Sequence, residues 1–115
     1  MSPGIWKWAD RLGDVPSEQS RFTLGEGNTS LVPSRRIGPA LGLTNLFFKL
    51  ESSNPTGSYK DRFAVAAVSH LLDRGIANCL ATSSGNTGAA LAAACAVAGI
   101  PLHLAIVEPA PDDTL

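Results

Sequence analysis

The alternation of apolar and polar positions divides most of the chain into three strands and two helices. NLFFKLE (45–51) is typical of a strand with aromatic side chains on a pleated surface, and further strands are predicted at 79–82 and over PLHLAIV (101–107). Helices are predicted between them, at about 59–74 and 87–98. This order predicts an α/β fold in which right-handed βαβ crossovers join the strands of a parallel sheet.

The apolar positions of the two predicted helices indicate different surroundings. The second helix, TGAALAAACAVA, is small and apolar nearly all round, which indicates burial and a close approach of neighbouring elements. The first helix has one apolar face, which predicts packing on the sheet. That face contains Phe63, Ala66, Ala67 and Leu71 at helical spacing and is widened by Val65, Val68 and Leu72.

The part of the chain before the first of these strands is patterned more weakly. Residues 1–24 have no clear period, so we expect an irregular N-terminal lead-in, and residues 25–115 are predicted to form one partial α/β domain. In LGEGNTSLVPSRR, two glycines mark a loop, and a short extended segment begins at Leu31 and is limited by Pro33. A short helix is expected near 37–41.

Composition and charge narrow the classes of function. The chain has 115 residues, 44% of them hydrophobic and 17% charged, which is enough for one modest core. A formal net charge of −1, with Arg35 and Arg36 as the only adjacent basic pair, disfavours nucleic acid and anionic membranes as partners. The apolar runs are too short to span a bilayer, and MSPGIWKWADR lacks the apolar core of a secretion signal. We therefore expect a cytoplasmic protein.

The cysteines give no sign of a metal site or a disulfide. Cys79 falls in a predicted strand and Cys95 in the alanine-rich helix, without a CxxC motif or a histidine at ligand spacing. We expect both cysteines to be small core residues and the protein to hold no metal.

Two turns that contain glycine connect these strands to the helices that follow them. In open parallel sheets, ligands bind beyond the carboxyl ends of the strands, so Lys60 and Asn86 are predicted to face one crevice. In SSNPTGSYKDR, Ser58 can cap the helix, which leaves Lys60 in its first turn. The positive end of the helix dipole disfavours an ammonium there and favours the neutral amine that captures an aldehyde. A solvated surface lysine balanced by Asp61 is the alternative.

The second turn, SSGNTG, offers groups that suit an anion. It supplies backbone N–H groups, hydroxyls and an amide at a helix start, from Ser83, Ser84, Gly85, Asn86 and Thr87. The turn is neither GxGxxG nor a P-loop, so the fingerprints of dinucleotide and nucleoside triphosphate sites are missing. An ordinary tight turn capped by Asn86 or Ser84 is the alternative. An anion site beside an activated lysine suits amino-acid chemistry on an aldehyde cofactor.

Three motifs in this order and spacing, GEGNT, NPTGSYKDR and SSGNTG, carry a resemblance to a known family. From about Leu24 to Val107, the chain resembles the N-terminal part of the threonine synthases, within the fold type II pyridoxal-phosphate enzymes related to the tryptophan synthase β subunit. Ser30 stands where these enzymes usually have proline, and Tyr59 stands where phenylalanine is commoner. Neither change removes a group that cofactor binding needs.

The resemblance implies a role for each candidate residue. Lys60 matches the lysine that holds pyridoxal 5'-phosphate as a Schiff base and moves protons, and Asn86 matches the asparagine that hydrogen-bonds the phenolic oxygen of the cofactor ring. The loop that receives the substrate carboxylate matches Ser83, Ser84, Gly85 and Thr87. In threonine synthases, O-phosphohomoserine loses its phosphate and water adds to give threonine.

Length is the large departure from that family. Its members are several times longer, and their glycine-rich loop for the cofactor phosphate lies beyond the point at which this sequence stops. We therefore expect a fragment that exposes apolar surface, is marginally stable and is catalytically weak or inactive by itself. The longer parent enzyme would act on a small amino acid and could assemble as a homodimer.

Two other functions stay open. A lyase similar to the threonine and serine dehydratases shares the lysine and asparagine loops, and it would consume a hydroxy amino acid instead of phosphohomoserine. A noncatalytic, truncated α/β module would bind a partner chain or a small anion through SSGNTG, and that binding would survive Lys60→Ala.

Overall fold

The computed structural model describes residues 3–83 and 85–106. Its elements are two 3-10 helices (Gly4–Arg11 and Glu18–Ser20), β1 (Leu31–Pro33), α1 (Ile37–Ala40), β2 (Phe47–Lys49), a 3-10 turn (Glu51–Ser53), α2 (Lys60–Asp73), β3 (Cys79–Thr82), α3 (Asn86–Ala98) and β4 (Leu102–Ala105). The strands and helices predicted from the pattern are present; the two long helices and β3 have closely matching ends, whereas β2 is shorter than the predicted strand at 45–51 and β4 begins one residue later than predicted. Both N-terminal 3-10 helices fall in the segment expected to be an irregular lead-in. Val107, predicted as the end of the last strand, lies outside the described residues.

The parallel sheet of the predicted α/β fold is present in the second half of the chain. β3 and β4 pair in parallel, with Cys79 opposite Leu102 and Thr82 opposite Ala105, and α3 connects them. This βαβ unit confirms the predicted fold class.

The strand β2 does not join that sheet among the described residues, although the sequence pattern had placed it there. It pairs antiparallel with β1, with Leu31 opposite Lys49 and Pro33 opposite Phe47. Further backbone bonds extend the pairing at both ends, from Ser34 N to Leu46 O and from Leu50 N to Ser30 O. An apolar run indicates a strand but not the strand with which it pairs, and here the partner is the short segment around Leu31.

Small side chains allow α2 and α3 to pack closely against each other. Their shared core consists of Ala64, Val68, Ala90, Leu91, Ala94, Cys95 and Ile100. The main neighbours of α2 are therefore α3 and the N-terminal 3-10 helices. Cys95 is buried as expected, and Cys79 is partly buried and packs against the same core, both as free thiols.

The buried face of α2 differs from the one that the pattern predicted. The helix buries Asp61, Ala64, Val65, Val68 and Ser69, whereas Phe63 stays 51% exposed. Two of these five buried positions are polar, so the hydrophobic pattern pointed to the neighbouring stripe. Val65 and Val68 belong to the true face, where each contributes about 1.5–3 kcal/mol through burial.

A left-handed glycine ends α3 and directs the chain into β4. Gly99 has φ +68°, and the N–H of the next residue, Ile100, donates to the carbonyl of Cys95 at 3.0 Å. This is a Schellman-type ending, in which the residue after the glycine packs back onto the helix. Ile100 is accordingly buried in the core.

The described residues leave considerable apolar surface exposed. Leu80, in the middle of β3, is 80% exposed, and Leu31 and Val97 are each about 60% exposed. The exposed side of β3 faces away from α3, because the residues of this strand alternate between half-buried and exposed. Within the described ranges, no helix is long and apolar enough to cross a membrane.

Candidate functional site

Lys60 is the first residue of α2, as the sequence predicted. Its backbone N–H donates to Ser58 Oγ at 3.2 Å, so the hydroxyl predicted to cap this helix bonds the first turn. The Lys60 side chain is half-buried, and its Nζ lies 4.7 Å from the centroid of the Tyr59 ring. In the part of the chain that the structure describes, no carboxylate lies within ion-pair distance of this amine.

Asp61 is not the surface partner that the alternative interpretation of Lys60 requires. It is fully buried, and its carboxylate accepts hydrogen bonds from the Thr56 N–H at 2.7 Å and from the Thr56 hydroxyl. Asp61 therefore ties the NPTGS turn to the start of α2. The two neighbouring side chains serve separate purposes, and the amine of Lys60 is left without a counter-ion among residues 3–83 and 85–106.

Arg62 forms a forked ion pair with Glu51. Its Nε and Nη2 donate to the two carboxylate oxygens of Glu51, each at 2.9 Å. Arg62 keeps 32% of its side-chain surface exposed and Glu51 keeps 28%. The bonds from Arg62, and then the bond from Thr29, lower the pKa of Glu51 from 4.5 to about 2. Glu51 in turn raises the pKa of Arg62.

Glu51 also joins two loops to α2 through a set of bonds that we call the Glu51 network: Glu51, Arg62, Thr29, Asn54 and Gly27. Thr29 Oγ1 donates to Glu51 at 2.6 Å, and Asn54 Nδ2 donates to it at 3.0 Å. Asn54 Oδ1 accepts the Gly27 N–H at 2.8 Å. The network thus connects the GEGNT loop, the 51–54 turn and the first turn of α2.

Neither Glu51 nor Arg62 was assigned a role from the sequence. One sequence signal could have suggested the pairing. Glycine at 27 has φ +85°, and a side-chain Cβ there would lie only 3.0 Å from Arg62 Nη1. The positive φ favours glycine at this position, and the guanidinium close to the loop backbone leaves little room for a side chain.

Glu26, the acidic residue of GEGNT, holds the N-terminal segment. It is fully buried, and its carboxylate accepts hydrogen bonds from Ile5 N at 2.8 Å, Thr23 Oγ1 at 2.8 Å and Leu24 N at 2.9 Å. A buried carboxylate is tolerated when its oxygens are bonded in this way. Glu26 therefore has a structural role on one side of the loop, while Thr29 faces Glu51 on the other.

The SSGNTG turn is organised by Ser83. Its Oγ accepts hydrogen bonds from Gly85 N at 3.1 Å and Gly88 N at 2.9 Å, so Ser83 takes the capping role that the alternative interpretation gave to Asn86 or Ser84. Ser84, a predicted substrate-binding residue, lies outside the described residues. Asn86 is exposed and Thr87 is half-buried. Among the described residues, the backbone N–H groups of Asn86 and Thr87 have no acceptor.

The structure brings most predicted site residues to the starts of two packed helices. Ser83, Gly85, Asn86 and Thr87 share the turn into α3, and Lys60 begins α2, which packs on α3. No hydrogen bond or ion pair between described residues joins Lys60 to the second turn, so the shared crevice stays a prediction. Two shallow depressions near α1 contain none of these residues; they are lined by residues 42–46 and by Arg36, Ile37 and Ala40.

Comparison with known proteins identifies related sequences. Residues 22–115 match the family model described as pyridoxal-phosphate dependent enzyme. The threonine synthase of Methanosarcina acetivorans is 41% identical over 100 residues, which cover 87% of this chain and 24% of that protein. The threonine synthase of Halalkalibacterium halodurans is 42% identical over 94 residues, 82% of this chain and 26% of that protein. That of Mycobacterium leprae is 43% identical over 107 residues, 92% of this chain and 29% of that protein. The chain thus spans between a quarter and three-tenths of the length of these curated relatives.

Proposed function

Because the chain belongs to the family of pyridoxal-phosphate dependent enzymes, we propose that it is the N-terminal part of a threonine synthase that uses Lys60 to hold the cofactor. The name shared by its curated relatives supports the choice of reaction. The activity proposed is that of a longer protein, and we expect the 115-residue chain alone to show no turnover.

The observation that carries this proposal is the environment of Lys60. The amine is half-buried at the start of α2, and no described carboxylate pairs with it. Both following residues are engaged elsewhere, Asp61 with Thr56 and Arg62 with Glu51. A lysine without a counter-ion beside the positive end of a helix is suited to covalent capture of an aldehyde.

Two of the predicted site residues carry groups that suit the aldehyde and the ring of pyridoxal phosphate. Lys60 supplies the amine for the aldehyde, and the exposed amide of Asn86 supplies a donor for the phenolic oxygen of the ring. When bound, the cofactor supplies an electron sink for charge at the α-carbon of an amino acid. Lys60 would hold the cofactor and would also hold or move a proton at that α-carbon.

The SSGNTG turn would bind the carboxylate of the amino-acid substrate. The N–H groups of Asn86 and Thr87 have no acceptor among the described residues and lie at the positive end of α3. Ser83 contributes by ordering the turn, because its Oγ already accepts the N–H groups of Gly85 and Gly88. Ser84, Gly85 and Thr87 complete the loop in this proposal.

The proposed reaction converts O-phosphohomoserine and water to threonine and phosphate. The bond from the γ-carbon to the phosphate oxygen breaks, and a water molecule later supplies the hydroxyl at the β-carbon. The phosphate departs as the leaving group, so the net change needs no oxidant or reductant. For this step the chain's own residues provide a proton carrier, Lys60, and a carboxylate site, the turn at 83–87.

Reductive trapping tests the cofactor part of the proposal. The purified chain is mixed with pyridoxal phosphate and reduced with borohydride, and the pyridoxyl label is mapped by peptide mass spectrometry. The chain has only three lysines, Lys7, Lys49 and Lys60, so the other two act as internal controls. We expect the label to concentrate on Lys60 and to disappear from that peptide in Lys60→Ala. Equal labelling of all three lysines would contradict the proposal.

A chimera tests the reaction. This chain replaces the matching N-terminal segment of the Methanosarcina acetivorans threonine synthase, and release of inorganic phosphate from O-phosphohomoserine is measured. Phosphate release that is lost in Lys60→Ala supports the proposed activity. A folded chimera that instead releases ammonia from threonine, without consuming phosphohomoserine, would assign the chain to the dehydratase-like lyases.

A further inference from the structure

We propose that Glu51 and Arg62 are positioning residues that fix the start of α2 and thereby hold Lys60 in place for attachment to the cofactor aldehyde. The inference rests on the function proposed above and names two residues for which the sequence motifs gave no role. Neither residue contacts the reacting atoms in this proposal. They act through the backbone on which Lys60 stands.

Several segments of the chain meet at the Glu51 carboxylate. Glu51 Oε1 accepts from Arg62 Nη2 and Thr29 Oγ1, and Oε2 accepts from Arg62 Nε and Asn54 Nδ2. Four donors from three segments satisfy both oxygens, so the orientation of the carboxylate is fixed. Any shift of the α2 start relative to the two loops would break several of these bonds together.

The shape of the Arg62 guanidinium also restricts the start of α2. Arginine donates through a rigid, planar fork, and both prongs engage Glu51 at 2.9 Å. Its third nitrogen, Nη1, lies where a Cβ on Gly27 would approach to 3.0 Å. The arginine is therefore held by the carboxylate on one side and by the backbone of the GEGNT loop on the other. Because Arg62 is two residues after Lys60, this contact fixes the turn of helix that carries the amine.

A second set of hydrogen bonds, between Asp61 and Thr56, holds the chain on both sides of Lys60 in sequence. Asp61 is fully buried and bonds both the N–H and the hydroxyl of Thr56. Lys60 thus stands between a turn held by Asp61 and a loop held by Arg62, while its own side chain makes no ion pair with a described residue. This arrangement leaves the amine available and removes the freedom of its backbone, which favours reaction by pre-organisation.

The test compares the site of pyridoxyl labelling in four versions of the chain. These are the wild type, Arg62→Gln, Glu51→Gln, and the control Arg74→Gln at the other end of α2. Arg74 pairs with Asp14 at 3.6 Å, and both side chains are largely exposed. Each version is treated with pyridoxal phosphate and borohydride, and the label on Lys60 is divided by the label on Lys7 and Lys49. Far-ultraviolet circular dichroism verifies that the versions are equally helical.

We expect the Lys60 ratio to fall about tenfold in Arg62→Gln and in Glu51→Gln, and to stay unchanged in Arg74→Gln. Glu51→Gln retains one oxygen acceptor but cannot accept both donors of Arg62, so its effect should match that of Arg62→Gln. The double variant should fall no further than the single ones, because both residues act through one network. Faster hydrogen exchange at the Gly27 amide should accompany the loss.

Each other outcome overturns the inference. If the wild type labels Lys60 selectively and both variants keep the same Lys60 ratio, the positioning role is wrong and the proposed function still stands. A fall in the Lys60 ratio that occurs only together with a loss of helicity would show that the pair only maintains the fold. A wild type that labels the three lysines equally would contradict the proposed function itself, and the positioning role with it.

Discussion

Replacement of Glu51 by glutamine should make the free energy of unfolding less dependent on pH below about pH 5. In the folded chain, the pKa of Glu51 falls from 4.5 to about 2, chiefly because of the bonds from Arg62. A carboxyl whose pKa is lower in the folded than in the unfolded chain stabilises the fold wherever it is ionised. The stabilisation is complete above about pH 5 and is lost as the pH falls toward about 2.

The magnitude follows from the size of the change in pKa. A fall from 4.5 to about 2 corresponds to roughly 3 kcal/mol in the free energy of unfolding, at about 1.4 kcal/mol per pKa unit. Glu51 keeps 28% of its side-chain surface exposed, and solvent screening weakens an ion pair at such a position. We therefore expect a contribution of about 1–2 kcal/mol at neutral pH.

Urea unfolding, followed by circular dichroism between pH 2 and pH 7, measures this contribution. The difference in unfolding free energy between the wild type and Glu51→Gln should be largest near pH 7 and should shrink toward zero at the acid end. Arg74→Gln, at the exposed pair with Asp14, is the control and should change little at any pH. A difference that stays constant over the whole pH range would refute the reasoning, because the variant would then act through packing alone.

Two further outcomes test the core. Val68→Ala removes two methyl groups at a fully buried position of α2 and should lower the free energy of unfolding by about 1–3 kcal/mol. Val97→Ala, at a 60% exposed position of α3, should lower it much less. Equal urea midpoints for the two variants would contradict the packing described. Burial raises the pKa of the Cys95 thiol to about 11. Iodoacetamide at pH 8 should therefore alkylate Cys95 about tenfold more slowly than the partly buried Cys79, and urea should abolish the difference. Equal alkylation rates in the folded chain would contradict the burial of Cys95.

The sequence predicted the elements well because each depends on local pattern. The two long helices and β3 have strong periodicity or clear glycine boundaries, and the position of Lys60 at a helix start followed from the turn before it. The partner of β2 could not be predicted, since pairing depends on a distant segment near Leu31. The buried face of α2 was misjudged because two of its positions are polar, Asp61 at its N-terminal end and Ser69 near its other end.

The candidate site was predicted in part for the same reason. Lys60 and the SSGNTG turn are recognisable from their residue types at a predicted helix start, so the local sequence was enough to identify them. The Glu51 network could not be read in that way, because Glu51 and Arg62 are ordinary charged residues until the fold brings them together. Gly27 was the one local sign that another group approaches this loop, but the approaching side chain, Arg62, is far along the sequence.

The parallel pairing of β3 with β4 also has a consequence for the order of folding events. The register closes a loop that contains little besides α3 and its two turns, so the entropic cost of closing it is small. The bonds of the Glu51 network close loops of similar length, from 11 residues between Glu51 and Arg62 to 27 between Gly27 and Asn54. The two differ in apolar burial, because α3 and Ile100 contribute most of the core, whereas the network is polar. We therefore expect the βαβ unit to form in the transition state and the network to form afterwards. Substitutions in α3 would then slow folding, while substitutions in the network would mainly accelerate unfolding.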